Sequence, residues 1–283
     1  MPFITVGTEN SAPIDLYYED HGSGQPIVLI HGFPFNGATW EKVSGPLLDA
    51  GHRVITYDRR GFGSSAQPAF GYDYDTFAAD LDVLMTELDL RDTILVGHSM
   101  GTGEVTRYLG AYGSERVDRA VLLAPLAPYL RQAPDNPEGV EVSLFEEFKQ
   151  AIDGDRFAYL TQFCNNFFNY DENRGRLVSE EAYRAHWNIA AMASARAIHD
   201  CVDAWGTDFR ADVSRIDVPV LIVQGDNDNV LPYPKTGQRL QPMLADSRLV
   251  TLKGAPHGTP WTNADEVNQA IMEFIGTPAL ARS

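Results

Sequence analysis

Short apolar runs recur along the chain, separated by glycine, proline and charged residues. Runs of this kind are typical of strands that are buried on both faces of a sheet. The predicted strands cover residues 26–30, 53–58, 93–96, 117–123, 218–224 and 248–252. Residues 3–21 instead alternate polar and apolar positions in short runs that end at Gly22 and Gly24, which predicts an antiparallel hairpin.

Apolar residues return at helical spacing between these runs. In residues 77–88, for example, Phe77, Leu81, Leu84 and Leu88 fall on one helical face. Helices are predicted over residues 39–48, 77–88, 102–112, 235–244 and 264–275. Because parallel strands need crossover connections, this alternation predicts an α/β fold with a mostly parallel sheet of about eight strands and helices on both faces.

The alternation of strands and helices stops between residues 127 and 205. This region contains an acidic amphipathic stretch, an aromatic and Asn-rich stretch over residues 163–170, and one helical run over residues 180–204. We therefore expect three parts: a first core part over residues 1–126, a helical cap over residues 127–205, and a second core part over residues 206–283. Chain order places the cap where it could cover a site on the core.

Composition narrows the classes of function. The 283 residues carry a formal net charge of −17, which argues against a nucleic-acid partner because no basic surface is available to neutralise phosphates. Cys164 and Cys201 lie far apart in sequence, so we expect buried, reduced thiols and no disulfide framework. No apolar run has the length of a membrane span and the first residues lack a secretion signal, so we expect a cytoplasmic protein without a membrane partner.

A serine stands at a sharp turn between a predicted strand and a predicted helix. The sequence Gly-His-Ser-Met-Gly over residues 97–101 follows the strand at 93–96 and precedes the helix at 102–112. In that context Gly-x-Ser-x-Gly is a nucleophile elbow, in which the two glycines give the backbone room to turn and present the serine hydroxyl. Ser99 is therefore the candidate nucleophile.

A serine hydroxyl needs a base and an acid that orients the base, and in sites of this type both follow in later loops. His257 comes after the strand at 248–252 and is the one histidine that lies both downstream of an acidic loop and at a strand end. The acidic loop follows the strand at 218–224 and offers Asp226 and Asp228, which the residues alone do not separate. A Ca²⁺ loop here would lack its further ligands and terminal Glu, so no metal is expected.

Acyl transfer also requires two donors for the developing oxyanion. The Met100 amide follows the nucleophile and lies at a helix N-terminus, so it is one candidate. The second is the Phe33 amide in the loop after the strand at 26–30, because the next residue, Pro34, has no N–H. Trp261, Phe163 and Trp187 are further candidates for the walls of a substrate pocket.

Five motifs occur in an order that resembles the α/β-hydrolase superfamily. They occupy residues 31–34, 58–65, 97–101, 225–232 and 254–258. Within that superfamily, the chain is most similar to the cofactor-free haloperoxidase and perhydrolase group of bacterial serine esterases. The resemblance spans nearly the whole chain and departs from the family in the insertion, where residues 165–169 match no known substrate preference.

The resemblance implies a triad of Ser99, Asp228 and His257, because in the family the acid directly precedes the residues that match 229–232. It implies that Asp226 forms the turn and that the Phe33 and Met100 amides form the oxyanion hole. It also implies hydrolysis of small or aryl esters without cofactor or metal. In a side reaction, peroxide replaces water and a peracid forms.

Other functions share this scaffold. A lactonase, an amidase or lactamase, a peptidase, or a carbon–carbon bond hydrolase would keep the same triad and differ in the pocket. Haloalkane dehalogenases and epoxide hydrolases place an aspartate at the elbow, which Ser99 argues against. A small-molecule receptor could retain the triad without turnover. The resemblance implies a small-molecule ester as the substrate, and the sequence leaves self-association into a homo-oligomer open.

Overall fold

The computed structural model of the protein describes residues 2–276, and a single sheet organises them. Its strands are β1 (Phe3–Glu9), β2 (Ala12–Gly22), β3 (Pro26–Ile30), β4 (Arg53–Tyr57), β5 (Thr93–His98), β6 (Val117–Leu123), β7 (Val220–Gly225) and β8 (Ser247–Leu252). Their spatial order is β1-β2-β4-β3-β5-β6-β7-β8. β1 pairs with β2, and β2 with β4, in antiparallel fashion, whereas all later neighbours are parallel.

Helices cover both faces of this sheet. They are α1 (Glu41–Asp49), α2 (Tyr74–Glu87), α3 (Met100–Tyr112), α4 (Val142–Phe168), α5 (Tyr170–Asn173), α6 (Glu180–Ala191), α7 (Ala195–Ala204), α8 (Arg210–Val213), α9 (Gly237–Leu240), α10 (Thr259–Thr262) and α11 (Ala264–Ile275). Successive strand residues point to opposite faces. Ile27 and Leu29 of β3 accordingly share a core with α1 and α11, while Val28 and Ile30 share the other core with α2 and α3. The predicted fold class is confirmed.

The segment between β6 and β7 is helical, as predicted, but the helices do not follow the predicted runs: α4 is longer than the amphipathic stretch, and the run at 180–204 is divided. The run at 180–204 forms two helices, α6 and α7, because Ser194 caps the start of α7 with its side chain. α4 is broken at Asp155, whose φ of −158° and ψ of 95° are not helical. The boundaries of the cap at residues 127 and 205 stay predictions, and residues 277–283 of the second core part lie outside the described residues.

Over residues 2–276, the helices are each too short or too polar to cross a membrane.

The N-terminal turn of α3 lies directly against the end of β3. At Gly101, an added Cβ would lie 2.3 Å from the Ile30 carbonyl oxygen, which is closer than real Cβ atoms come to backbone. Only a residue without a side chain lets this helix approach the strand so closely. In contrast, a Cβ added to Gly45 in α1 would meet no atom of another element within 4 Å.

These two glycines give a matched test of the packing. Gly101→Ala should lower the free energy of unfolding by roughly 1–3 kcal/mol, because the helix must move away from β3. Gly45→Ala should change it by less than about 0.5 kcal/mol, because the better helix propensity of alanine is offset by crowding of its Cβ against the following Pro46. Urea unfolding followed by circular dichroism measures both values. A Gly101→Ala protein as stable as the wild type would contradict this account of the helix–strand contact.

Candidate active site

Ser99 lies at the turn between β5 and α3, where the sequence predicts the elbow. Its φ of 53° and ψ of −120° are rarely adopted by a residue with a side chain. Hydrogen bonds hold this conformation: the Ser99 amide donates to the Leu123 carbonyl (2.8 Å), and the Ser99 carbonyl accepts from the Thr102 hydroxyl (2.6 Å). The strained backbone is thus held by the neighbouring strand β6 and by the first turn of α3.

His257, in the loop after β8, contacts Ser99 directly. Its Nε2 lies 2.8 Å from the Ser99 Oγ, and its Nδ1 lies 2.7 Å from the Asp228 Oδ2. The His257 ring is fully buried, and the structure therefore brings together the three residues that the resemblance implied as a triad. In this arrangement the Nδ1 proton is donated to the carboxylate, which leaves Nε2 free to accept the proton of the serine hydroxyl.

The two aspartates of the acidic loop have different surroundings. The Asp228 carboxylate is buried, and its Oδ1 accepts hydrogen bonds from the Val230 amide (2.9 Å) and the Leu231 amide (2.8 Å). Asp226 is exposed, and its Oδ1 accepts from the Gly254 amide at 2.5 Å. Asp228 therefore faces the imidazole, whereas Asp226 ties together the loops that follow β7 and β8.

Gln224, near the end of β7, is a residue that the sequence pattern did not single out. Its side chain is fully buried, and its Nε2 donates to the Leu231 carbonyl (2.9 Å) and reaches the Asp228 Oδ2 at 3.3 Å. Gln224 is the one polar residue in the apolar run at 218–224. A lone amide at the end of a buried strand was the available signal, because such a group must find partners inside the protein.

Two further histidines support the site as neutral hydrogen-bonding groups. The His98 Nε2 donates to the His257 carbonyl at 3.1 Å. Burial, reinforced by the nearby His257, lowers the pKa of His98 to about 3, so His98 stays uncharged beside the imidazole. His31 accepts the Arg59 amide at its Nε2 (2.9 Å), and burial lowers the pKa of His31 well below its usual value.

The backbone amides of Phe33 and Met100 have no partner among residues 2–276. Met100 is the first residue of α3, so its amide lies at the positive end of a 13-residue helix. The loop that carries Phe33 passes close to the serine, since a Cβ added to Gly32 would lie 3.0 Å from the Ser99 Cβ. Both amides are therefore unpaired on segments that adjoin Ser99, and their role as an oxyanion hole stays a prediction.

A cavity of about 210 Å³ opens over Ser99. Its walls are mainly aromatic and aliphatic, with the Phe33 ring packed edge-on against Trp205 (4.8 Å between centroids) and Phe163 (5.4 Å). Of the residues that the structure describes, none with a charged side chain lines it, and no group of three metal-binding side chains is present. The amide side chains in its lining are those of Gln162, Asn166 and Asn229.

The predicted pocket aromatics separate into two groups. Phe163 lines the cavity because it continues the inward face of α4 with Tyr159. Trp187 does not line the cavity. The buried face of α6 carries His186 and the residues four positions before and after it, whereas the Trp187 side chain donates to the Thr161 hydroxyl (3.0 Å). Trp261 also lies outside the cavity: its ring centroid is 4.8 Å from that of His186, and it lines a separate, much smaller pocket.

Comparisons with known proteins agree with this geometry. A family model described as the alpha/beta hydrolase fold matches residues 25–264. A Synechocystis sp. protein, provisionally named a non-heme chloroperoxidase, is 59% identical over 97% of this chain and 100% of its own length.

Two further relatives extend the comparison. The crystal structure of a bromoperoxidase from Bacillus anthracis is 43% identical, has a TM-score of 0.93, and covers 98% of this chain and 99% of that one. A bifunctional esterase/perhydrolase from Acinetobacter calcoaceticus is 32% identical over 93% of this chain and 96% of its own length. The chain belongs to the α/β-hydrolase family.

Proposed function

We propose that the protein hydrolyses small, uncharged carboxylic esters through an acyl-enzyme on Ser99. The observation that carries this proposal is the continuous chain of hydrogen bonds from Ser99 through His257 to Asp228 at the floor of an apolar cavity. A serine, a base and an orienting acid in this arrangement are the parts that nucleophilic acyl transfer requires.

In the proposed reaction, His257 takes the hydroxyl proton as Ser99 attacks the ester carbonyl. The Phe33 and Met100 amides donate hydrogen bonds to the oxyanion, and the Asp228 carboxylate stabilises the imidazolium. His257 then gives its proton to the departing alcohol. Water, deprotonated by His257, attacks the acyl-enzyme, and the acid and free Ser99 are released.

Peroxide can replace water in the second step. Attack of hydrogen peroxide on the acyl-enzyme returns the proton to Ser99 through His257 and releases a peracid, which transfers one oxygen atom to a halide ion and leaves the carboxylic acid. The names of the relatives support this activity, since they include non-heme haloperoxidases and an esterase/perhydrolase. The protein would then oxidise halide through a diffusible peracid.

The nucleophile is tested with p-nitrophenyl esters from acetate to octanoate. Ser99→Ala should lower kcat by at least roughly 10⁴-fold while leaving the circular dichroism spectrum unchanged, because the oxygen that forms the acyl-enzyme is gone. The wild type should prefer the shorter acyl chains, because the cavity is about 210 Å³. Full activity in the Ser99→Ala protein would rule out the acyl-enzyme.

The two loop aspartates give a matched pair. Asp228→Asn should lower kcat by roughly 10³- to 10⁴-fold, because the amide cannot hold the imidazole in the tautomer that accepts the serine proton. Asp226→Asn should leave kcat within about twofold, because the exposed amide oxygen can still accept from the Gly254 amide. Steady-state kinetics compare them, and equal losses in the two proteins would show that Asp228 has no special role.

Acyl charge tests the character of the cavity. p-Nitrophenyl butyrate and the mono-p-nitrophenyl ester of succinic acid have chains of equal length and differ in a terminal carboxylate. The succinate ester should have a kcat/KM at least roughly tenfold lower, because the cavity offers that carboxylate no charged partner. Comparable values for the two esters at neutral pH would contradict an uncharged acyl specificity.

A further inference from the structure

The end of α4 lies against both loops of the candidate triad. Residues 165–169, which match no known substrate preference, form this end and the residue that follows it. The Asn169 side chain donates to the Asn227 carbonyl (2.8 Å), and its Oδ1 accepts from the Asn229 side chain (2.8 Å). Asn227 and Asn229 are the residues on either side of Asp228. One amide in the cap therefore bridges the two neighbours of the candidate acid.

Asn169 has a fixed conformation of its own. Its φ of 45° and ψ of 54° are left-handed, as is common for asparagine or glycine at the end of a helix. Its carbonyl accepts the amides of Glu172 (3.0 Å) and Asn173 (3.1 Å), which begin the next turn of helix. Asn169 is 5% exposed. A buried amide held in this way has little freedom to follow a movement of the loop.

Phe167, two residues earlier, holds the other loop. Its carbonyl accepts the Gly258 amide at 2.8 Å, and its ring packs edge-on against the His257 ring with 5.4 Å between centroids. The same helix end thus contacts the neighbours of the candidate acid and the neighbour of the candidate base. These contacts lie outside the hydrogen-bond chain of the triad itself.

We propose that Asn169 is a positioning residue that sets the distance and angle between Asp228 and His257. This inference rests on the proposed function, because it concerns the same reaction. Asn169 does not touch the Asp228 carboxylate; it fixes the backbone and side chain of the residues beside it. A small displacement of the acid would weaken its hold on the imidazolium, and misplacement of a catalytic group by about 1 Å can cost roughly 10²-fold in rate.

The groups that surround His257 determine by which contacts a change at Asn169 can alter the reaction rate. The imidazole of His257 faces Asp228, and His98 packs at 5.1 Å between ring centroids. Phe167 is the cap residue in contact with the ring. The Glu172 carboxylate accepts a hydrogen bond from the Asn227 side chain at 3.3 Å. A change at Asn169 can therefore reach His257 through Asp228 or through the Phe167 contact, and the Asp228→Asn background separates these two routes.

Asn169→Gly is the sharpest variant, because glycine keeps the left-handed backbone and removes only the bridging amide. We expect kcat for p-nitrophenyl butyrate to fall roughly 10- to 100-fold with KM within about twofold. The acid limb of the kcat/KM pH profile should move to lower pH by roughly 0.5–1 unit, because a more distant carboxylate stabilises the imidazolium less. Asn165→Ala is the control, since the Asn165 side chain accepts only the Tyr183 hydroxyl at the surface.

Combining Asn169→Gly with Asp228→Asn distinguishes a positioning role of Asn169 from a general loss of structure. In the Asp228→Asn protein, Asn169→Gly should cost little further activity, because the group that it positions is already absent. Asn229→Ala removes one half of the bridge from an exposed loop position and should shift the pH profile in the same direction by a smaller amount. The pH profile is the readout for this variant, because Asn229 lines the cavity and its loss could change KM directly.

The outcomes distinguish the two proposals. If the wild type shows no turnover that depends on Ser99, the proposed function fails. If the wild type is active and Asn169→Gly matches Asn165→Ala in kcat and pH profile, the role of Asn169 is overturned and the proposed function stands. Fully additive losses in the Asp228→Asn background would also overturn it. If Asn169→Gly does not fold, an unshifted pH profile in Asn229→Ala has the same meaning.

Discussion

The hydrogen bond between His257 and Ser99 joins residues 158 positions apart, and the candidate site depends on it. No local feature of either loop can produce that contact. Parallel strands end at the same edge of a sheet, and β5, β7 and β8 therefore deliver Ser99, Asp228 and His257 to one edge. The order of the strands, rather than any single motif, sets the distances within the site.

Much of this could be predicted from the sequence because strand ends and turns are local features. Each parallel strand appears as a short apolar run, and Ser99 and His257 stand in the turns that follow such runs. Glycines on both sides of Ser99 indicate a turn too tight for side chains. Pro34 has no N–H, so the amide of the preceding Phe33 is the candidate donor in that loop. These residues can be identified because the chemistry and the local backbone require them together.

The remaining features depend on directions that a linear pattern does not contain. Asp226 and Asp228 share one loop and one polar context, and only the folded loop turns one inward and the other outward. The phase of a helix decides whether Phe163 or Trp187 meets the cavity, and residues 180–204 form two helices rather than one of continuous phase. Asn169 contacts Asn227 and Asn229, which lie 58 and 60 positions further along the chain, and no periodic pattern in the sequence indicates such contacts.

One helix carries both a wall of the cavity and the contacts to the triad loops. Phe163 faces the substrate space, and Phe167, one turn further along α4, packs on His257. A substitution that reshapes the pocket at Phe163 and shifts the helix by a fraction of a turn would also move the base. Under the proposed function, selectivity and turnover are therefore not independent traits, and laboratory evolution toward a new acyl group should require compensating changes at the end of α4. Exchanging caps between relatives would meet the same coupling.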